Sequence, residues 1–559
     1  MPVPFTRTDY TLGIRCPRLL WSYRHGRDAG NGVSEWHLGQ LNNRIAVEKY
    51  TQNLKKCRRI DDDDIYTAVA KTADALADSG VDSICGAAFI VKNLSVRCDL
   101  LRRNSQSSYT LSVVRATAHI RQIACHDAAY QVFVLAACGI KVNCVEFVRI
   151  NTAYTPEGKA PLFLTERITS RVMSQVHGVA GRLEKMLKTL ASESLPDKDI
   201  HNGCFNPFEC ECRQSCFENL PRHNVFDVGG LRRQTKFDLY RAGAVSLEDV
   251  AESGDVPENI RAQVRAAIDG GEMKVRRREL REFLSTLTYP MCFLDFEAVQ
   301  LPFPEYEGVH PFESVAFQYS LHVLKSPDSA PIHTGCIVPT GKDPRSVIAK
   351  RLASEIPKGA CVVAYSMQLE KQVVSALAKR YPKYSARLCE ICRNMKDIMV
   401  PFLKGWCYAP GMNGSYSLKK VLAALYPGDA ELDYRQLSGV HNGQEAQVAY
   451  SLAAAGDPKA DEYISELDTY CALDTFALYK IYQKLCAAAG LPAPSEDGAK
   501  SGAVCSADGA KSAEEAEIGT ATGGKTGIGG KKDKKRFPFP FFLFSSHRNK
   551  ANTETEEQQ

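Results

Sequence analysis

The chain has 559 residues, 44% of them hydrophobic and 24% charged, with a net charge of +5. That length is too great for one core and predicts two to four domains of a soluble globular protein, while the mild charge favours nucleic acid only slightly over other partners. The opening MPVPFTRTDYTLGIRCPRLLW lacks the apolar core of a signal peptide and no stretch reaches the length of a membrane span, so a cytoplasmic chain is expected.

Taken in chain order, the first 200 residues mix two periods. IYTAVAKTADALADSG (65–80) has helical spacing, AAFIVKNLSVRCDLL (87–101) and SYTLSVVRAT (108–117) read as strands, and CHDAAYQVFVLAACG (125–139) as an apolar helix ending at Gly139. A cysteine-rich segment follows at 204–216. Residues 222–285 read as wholly helical, with turn signals at Gly229-Gly230, Gly243 and Gly270-Gly271. From 286 to 488 strands and helices alternate again, closing on a helix over 460–487. Beyond 490 Gly, Ala, Ser, Lys and Glu follow without periodicity, which predicts a disordered tail. Within it, KKDKKRFPFPFFLF (531–544) reads first as a sticky unstructured end and second as a contact to a protein partner or a membrane surface.

Twenty cysteines in a large chain without an export signal are expected to stay reduced or to bind metal. Two carboxylates inside an apolar strand are more informative. In MCFLDFEAVQ (291–300), Asp295 and Glu297 are two apart and share one strand face, where unpaired charge costs several kcal/mol unless a cation compensates it. VVAYSMQLEKQVV (362–374) adds Glu370 early in a helix, and YCALDTFALYKIY (470–482) sets Tyr470 and Asp474 four apart on one helical face. Two-metal nucleases use three or four such carboxylates around cations about 3.5–4 Å apart.

The order D-x-E, strand-turn-helix carboxylate, Y-x-x-x-D resembles the DnaQ-like 3′–5′ exonucleases of the RNase H-like superfamily, in the subgroup whose third motif carries tyrosine. The resemblance implies two Mg2+ or Mn2+ ions, with Asp295 bridging both, Glu297 and Asp474 on the one that holds the attacking water, and Tyr470 orienting that water. Glu370 stands where this family has the aspartate of N-x-x-F-D, and Ser366 and Leu369 replace its asparagine and phenylalanine. This motif therefore leaves activity open. Asp397, in NMKDIMVPF, is expected either near the metals or capping the following helix.

Cys16 in RCPRLLW and the cysteines of HNGCFNPFECECRQSC (201–216) resemble the RecB-like nucleases stapled by a [4Fe–4S] cluster, CRISPR-associated members included. The resemblance implies Cys16, Cys204, Cys210 and Cys216 as ligands with Cys212 spare. The spacing departs from the usual C-x-x-C-x5-C, and zinc or buried structural thiols without metal remain the alternatives. Of that family's own nuclease residues the chain keeps Asp99 and Gln131. Val113, Val114 and Arg115 stand in place of E-x-K, so this module is expected to bind or position nucleic acid without hydrolysing it. His37 in EWHLGQL is a weak match to the family's early histidine.

The expected fold class is therefore α/β and multidomain. It comprises a degenerate RecB-like restriction-endonuclease fold with its cysteine cluster (1–220), a helical connector (221–285), an RNase H-like exonuclease domain with a mixed central sheet (286–488) and a tail (489–559). The layout resembles an uncharacterised bacterial family that pairs these two modules. FQYS (317–320), GSYSLKKVL (414–422) and YCALDT (470–475) look like its segments, and DLYRAGAVSLEDVAE (238–252) is similar to a helix-hairpin-helix or is a plain spacer. KVRRRELR (274–281) offers phosphate contacts or a solvated helical face. The functional expectation is a metal-dependent nuclease acting on nucleic acid, DNA before RNA. The competing expectation is a catalytically inactive nucleic-acid-binding or scaffold protein in a repair or defence complex.

Overall fold

The computed structural model describes residues 3–26, 35–105, 108–206, 209–454 and 457–494, all within the compact unit Met1–Gly502. The tail with its KKDKKRFPFPFFLF segment and the side chain of His37 lie outside the described residues. The described chain is mixed α/β, and none of its helices is long and apolar enough to cross a membrane.

The N-terminal region builds a six-stranded sheet in the order Cys57–Arg59, Ser83–Cys85, Leu100–Ser105, Ser108–Val114, Val142–Ile150, Phe163–Arg167. Every residue of Ser108–Val114 is buried, as a strand covered on both faces requires, and the buried face of helix Gln122–Ala137 belongs to the same core. The predicted strand over 87–101 is three pieces. Ala88–Val91 and Leu94–Arg97 pair with each other through a turn in which Lys92 adopts a left-handed φ of 54°, and Leu100 then enters the main sheet. The connector also departs from expectation. Gly270 and Gly271 take positive φ and end a helix, after which Lys274–Val275 pairs antiparallel with Cys407–Tyr408, so 222–285 is not wholly helical.

The 286–488 region centres on five strands in the order Ile332–Ile337, Ser314–Leu324, Met291–Gln300, Cys361–Ala364, Met395–Asp397. Ser314–Leu324 runs antiparallel to both of its neighbours, and the last two strands run parallel to the central Met291–Gln300 strand. Its alternation sets the layers. Met291 and Phe293 pack with the Ala460–Ala489 helix, whereas Cys292, Leu294 and Phe296 pack with the residues of Pro344–Glu355, Gln368–Arg380 and Pro382–Arg393. Each fully buried apolar side chain contributes about 1.5–3 kcal/mol. Strand period two then turns Asp295 toward the long helix, which ends at Gly490 in the left-handed conformation glycine favours.

Candidate metal centre

The partners of the central strand position the long helix. Ser320 stands opposite Asp295 and Gln318 opposite Glu297 in the antiparallel register. From there the Gln318 amide donates to the Leu467 carbonyl at 3.1 Å, and Ser320 Oγ lies 2.6 Å from Thr475 Oγ1, with His322 Nδ1 at 2.8 Å from the same hydroxyl. The FQYS and YCALDT segments thus clamp helix to sheet one residue from Asp474.

The result is a convergence. Ligand oxygens of Asp295, Glu297 and Asp474 all lie within 4.8 Å of one another, Glu297 and Asp474 buried and Asp295 half-buried. Burial, then repulsion from Asp474, Glu297 and Glu370, pushes the Asp295 carboxyl well above its ordinary range. Burial and Asp474 push Glu297 up to about 8. Asp474 rises to about 6 through burial, against hydrogen bonds from Tyr434 and Tyr470 and the attraction of Lys419. The Tyr434 hydroxyl donates to Asp474 Oδ1 at 2.5 Å. With Lys419 the ammonium whose attraction reaches all three, these carboxylates cannot all ionise without desolvated charge that costs several kcal/mol per group, and in the metal-free protein they hold protons instead. Added cations are the direct remedy.

Glu370 approaches from the other side of the sheet's edge. After strand Cys361–Ala364 the chain turns through Ser366, whose φ of 56° is left-handed. Asp397 holds this turn. It accepts from the N–H groups of Ser366 at 2.9 Å, Met367 at 3.3 Å and Met399 at 3.0 Å. Its oxygens are therefore spent on backbone, although its charge acts on Glu370. Glu370 is buried, its Oε2 has no hydrogen-bond partner among the described residues, and burial pushes it up to about 7. It repels Asp295 and Glu297 yet stands outside the 4.8 Å set. Sequence reasoning missed Lys419 and Tyr434. Lys419 lay within the singled-out GSYSLKKVL; Tyr434 sits in an isolated turn of helix, Tyr434–Gln436, with no periodic signal.

In the N-terminal module Asp99 is occupied by arginine. Asp99 receives Arg7 at 3.0 Å, Arg115 at 2.5 Å and the Val114 N–H at 3.0 Å. Arg115 also bonds Asp127, which Arg7 approaches to 3.5 Å and to which the Gln131 amide donates at 3.1 Å. Burial acts to raise the Asp99 carboxyl, but Arg115 and Arg7 hold it below its ordinary value. Asp127 was overlooked, though its four-residue spacing to Gln131 was readable. In the connector turn, the Val245 and Ser246 N–H groups, the kind that would take a phosphate, already donate to Asp249 at 3.0 and 2.8 Å. Arg281 of KVRRRELR is likewise committed, to the Ala489 carbonyl at the end of the long helix.

Cys16, Cys204, Cys210, Cys212 and Cys216 share one cluster with the connector's aromatic side chains. Cys16 precedes Pro17 at a helix start, makes no side-chain cap hydrogen bond there, and burial pushes its thiol up. Charge on Cys204 is felt from Cys210, Cys16 and Cys216. The Cys212 thiol and N–H donate to Cys210 and draw it down to about 6.

Residues 292–417 match a family described as a domain of unknown function (DUF2779). The matched span includes Asp295, Glu297 and Glu370 and stops before Lys419, Tyr470 and Asp474. Comparison with curated proteins and with solved structures finds no match.

Proposed function

We propose that this chain is a metal-dependent nuclease whose 286–488 region hydrolyses nucleic-acid phosphodiesters, as a 3′–5′ exonuclease on DNA ends. The observation that carries this reading is the convergence of Asp295, Glu297 and Asp474 from a strand and a helix that the sequence places 180 residues apart, around a charge that one lysine does not balance. The strand order, three antiparallel followed by two parallel, is what an RNase H-like domain leads one to expect and supports it. When bound, a pair of divalent cations supplies activation of a water and neutralisation of phosphate charge. The chain's own part is preorganisation. Asp295, Glu297 and Asp474 would hold the ions, Tyr434 and Tyr470 fix the Asp474 carboxylate by their hydroxyls, and the buried Glu370 offers an uncommitted oxygen beside them.

The proposal extends to a [4Fe–4S] cluster on Cys16, Cys204, Cys210 and Cys216. The five cysteines share one buried cluster, and Cys16, Cys204, Cys210 and Cys216 are near enough to act on one another's charge. Zinc on the same thiols is the alternative. The arginine-filled N-terminal module would position substrate. A second reading, a non-catalytic nucleic-acid-binding or scaffold protein, draws on Glu370 standing outside the trio.

Purified chain with Mg2+ or Mn2+ is expected to shorten end-labelled oligonucleotides, and Asp295→Asn to lower the rate by roughly 10²–10³ or more, the scale of losing one preorganised charge. Retardation of the oligonucleotide without shortening would favour the second reading. Visible absorbance lost in Cys210→Ser is the expected mark of the cluster.

A further inference from the structure

A cation of the chain's own stands against the tyrosines that border the carboxylate pocket. The Lys419 ammonium donates to the His441 carbonyl. It stands 4.7 Å from the Tyr434 ring centroid and 4.9 Å from that of Tyr470. These are the two tyrosines whose hydroxyls bond Asp474, so each presents a π face to the lysine and a donor to the carboxylate. Helix position argues the same way. Lys419 lies in the first turn of Leu418–Leu425, the positive end, where an acidic side chain would be favoured. Something else keeps it there. Its attraction reaches Asp295, Glu297 and Asp474. The further carboxylate in reach, Glu445, is already engaged by the His441 N–H and the Asn442 amide.

We propose that Lys419 is the resident counter-ion of this pocket, holding Asp295, Glu297 and Asp474 together while no divalent cation is bound and giving up that role when one binds. The inference rests on the metal-site reading above. Lys419 is a positioning residue in this scheme: it acts on the ligands and not on the substrate. Its charge matters most to the metal-free protein, and it opposes metal binding.

The test is thermal unfolding of the full chain in EDTA and in saturating Mn2+ for wild type, Lys419→Met and Lys419→Arg. Methionine keeps most of the stem and removes the charge; arginine keeps the charge. In EDTA the methionine variant is expected to unfold about 2–4 °C below wild type, with the arginine variant closer to wild type. In Mn2+ the gap between methionine and wild type is expected to close, because loss of the competing charge tightens binding and ligand stabilises the native state by an amount that grows as Kd falls. A methionine variant that folds only with Mn2+ is the same result in stronger form. A gap of equal size in both conditions assigns Lys419 to packing alone and overturns the proposal, as does a methionine variant as stable as wild type in EDTA. A wild-type midpoint that ignores Mn2+ overturns the metal reading itself and the hand-over with it, and wild type alone distinguishes that failure from the others.

Discussion

Burial, with repulsion between neighbouring carboxylates added at Asp295, Glu297 and Glu370, raises the acidic groups of this pocket and gives the metal-free protein an unusual response to pH. A carboxylate stabilised by a partner has a lowered pKa and loses its contribution as pH falls. Here the shifts run the other way, Glu297 to about 8, Glu370 to about 7 and Asp474 to about 6, from ordinary values near 4. Between about pH 4 and about pH 8 the native state therefore binds more protons than the unfolded chain, and stability falls as pH rises through that window. Metal binding takes the deprotonated ligands and opposes the trend. The unfolding midpoint in EDTA is expected to drop between about pH 5 and about pH 8.5, and the gain from Mn2+ to grow over the same interval. In Asp295→Asn, which removes one of the repelling charges, the slope in EDTA should be shallower. A midpoint that stays level or climbs in wild type would show that these carboxylates are not crowded as described.

What was legible at the level of elements follows from how rigidly each period fixes direction. Strand period two put Asp295 and Glu297 on one strand face and the four-residue spacing put Tyr470 and Asp474 on one helix face, whereas the meeting of the two faces was what the exonuclease resemblance implied. The long helix was read as 460–487 against an observed Ala460–Ala489. Single-residue conformations were not legible. Lys92 at φ 54° split an apparently continuous strand, and Ser366 at φ 56° aims the Glu370 helix in a turn that Asp397 holds from another strand. Lys419 was missed because its place depends on the path of the 405–417 segment. That path is fixed by the connector. A Cβ on Gly229 would lie 2.1 Å from the Gly414 carbonyl oxygen, and the Asn413 amide meets His223 at 3.1 Å. Both close groups in the first contact are backbone, so neither can swing aside. Gly229→Ala is expected to cost about 1–3 kcal/mol in denaturant unfolding and to lower hydrolysis as well, since residues 413–417 lead directly into the Lys419 helix. Unchanged unfolding and unchanged rate would mean that the connector does not hold this segment.

For the molecule as a whole, the chain leaving the carboxylate strand is seated on the N-terminal module. Phe303 packs into a small cluster with Ala46, Val114, Val148 and Phe163, and the Lys49 ammonium lies 5.6 Å from its ring. Farther along the same loop the Gly308 N–H donates to the Glu157 carboxylate at 3.1 Å, and the His310 ring lies 3.2 Å from the Tyr154 carbonyl. Val114 is also the residue whose N–H bonds Asp99, so the arginine-filled site and the candidate metal centre are joined through few intermediates. On the proposed function, this seam is the route by which the N-terminal module would present substrate to the metal centre. Phe303→Asp places a charge in that cluster and is expected to loosen the seam while leaving Asp295, Glu297 and Asp474 in their own core. If the N-terminal module carries the distal part of the strand, the variant should raise KM for long oligonucleotides by about tenfold, equivalent to about 1.4 kcal/mol of lost binding, with kcat on a dinucleotide or trinucleotide nearly unchanged. Equal losses on long and short substrates would place the damage in the metal centre itself, and no loss on either would leave the N-terminal module without a part in substrate binding.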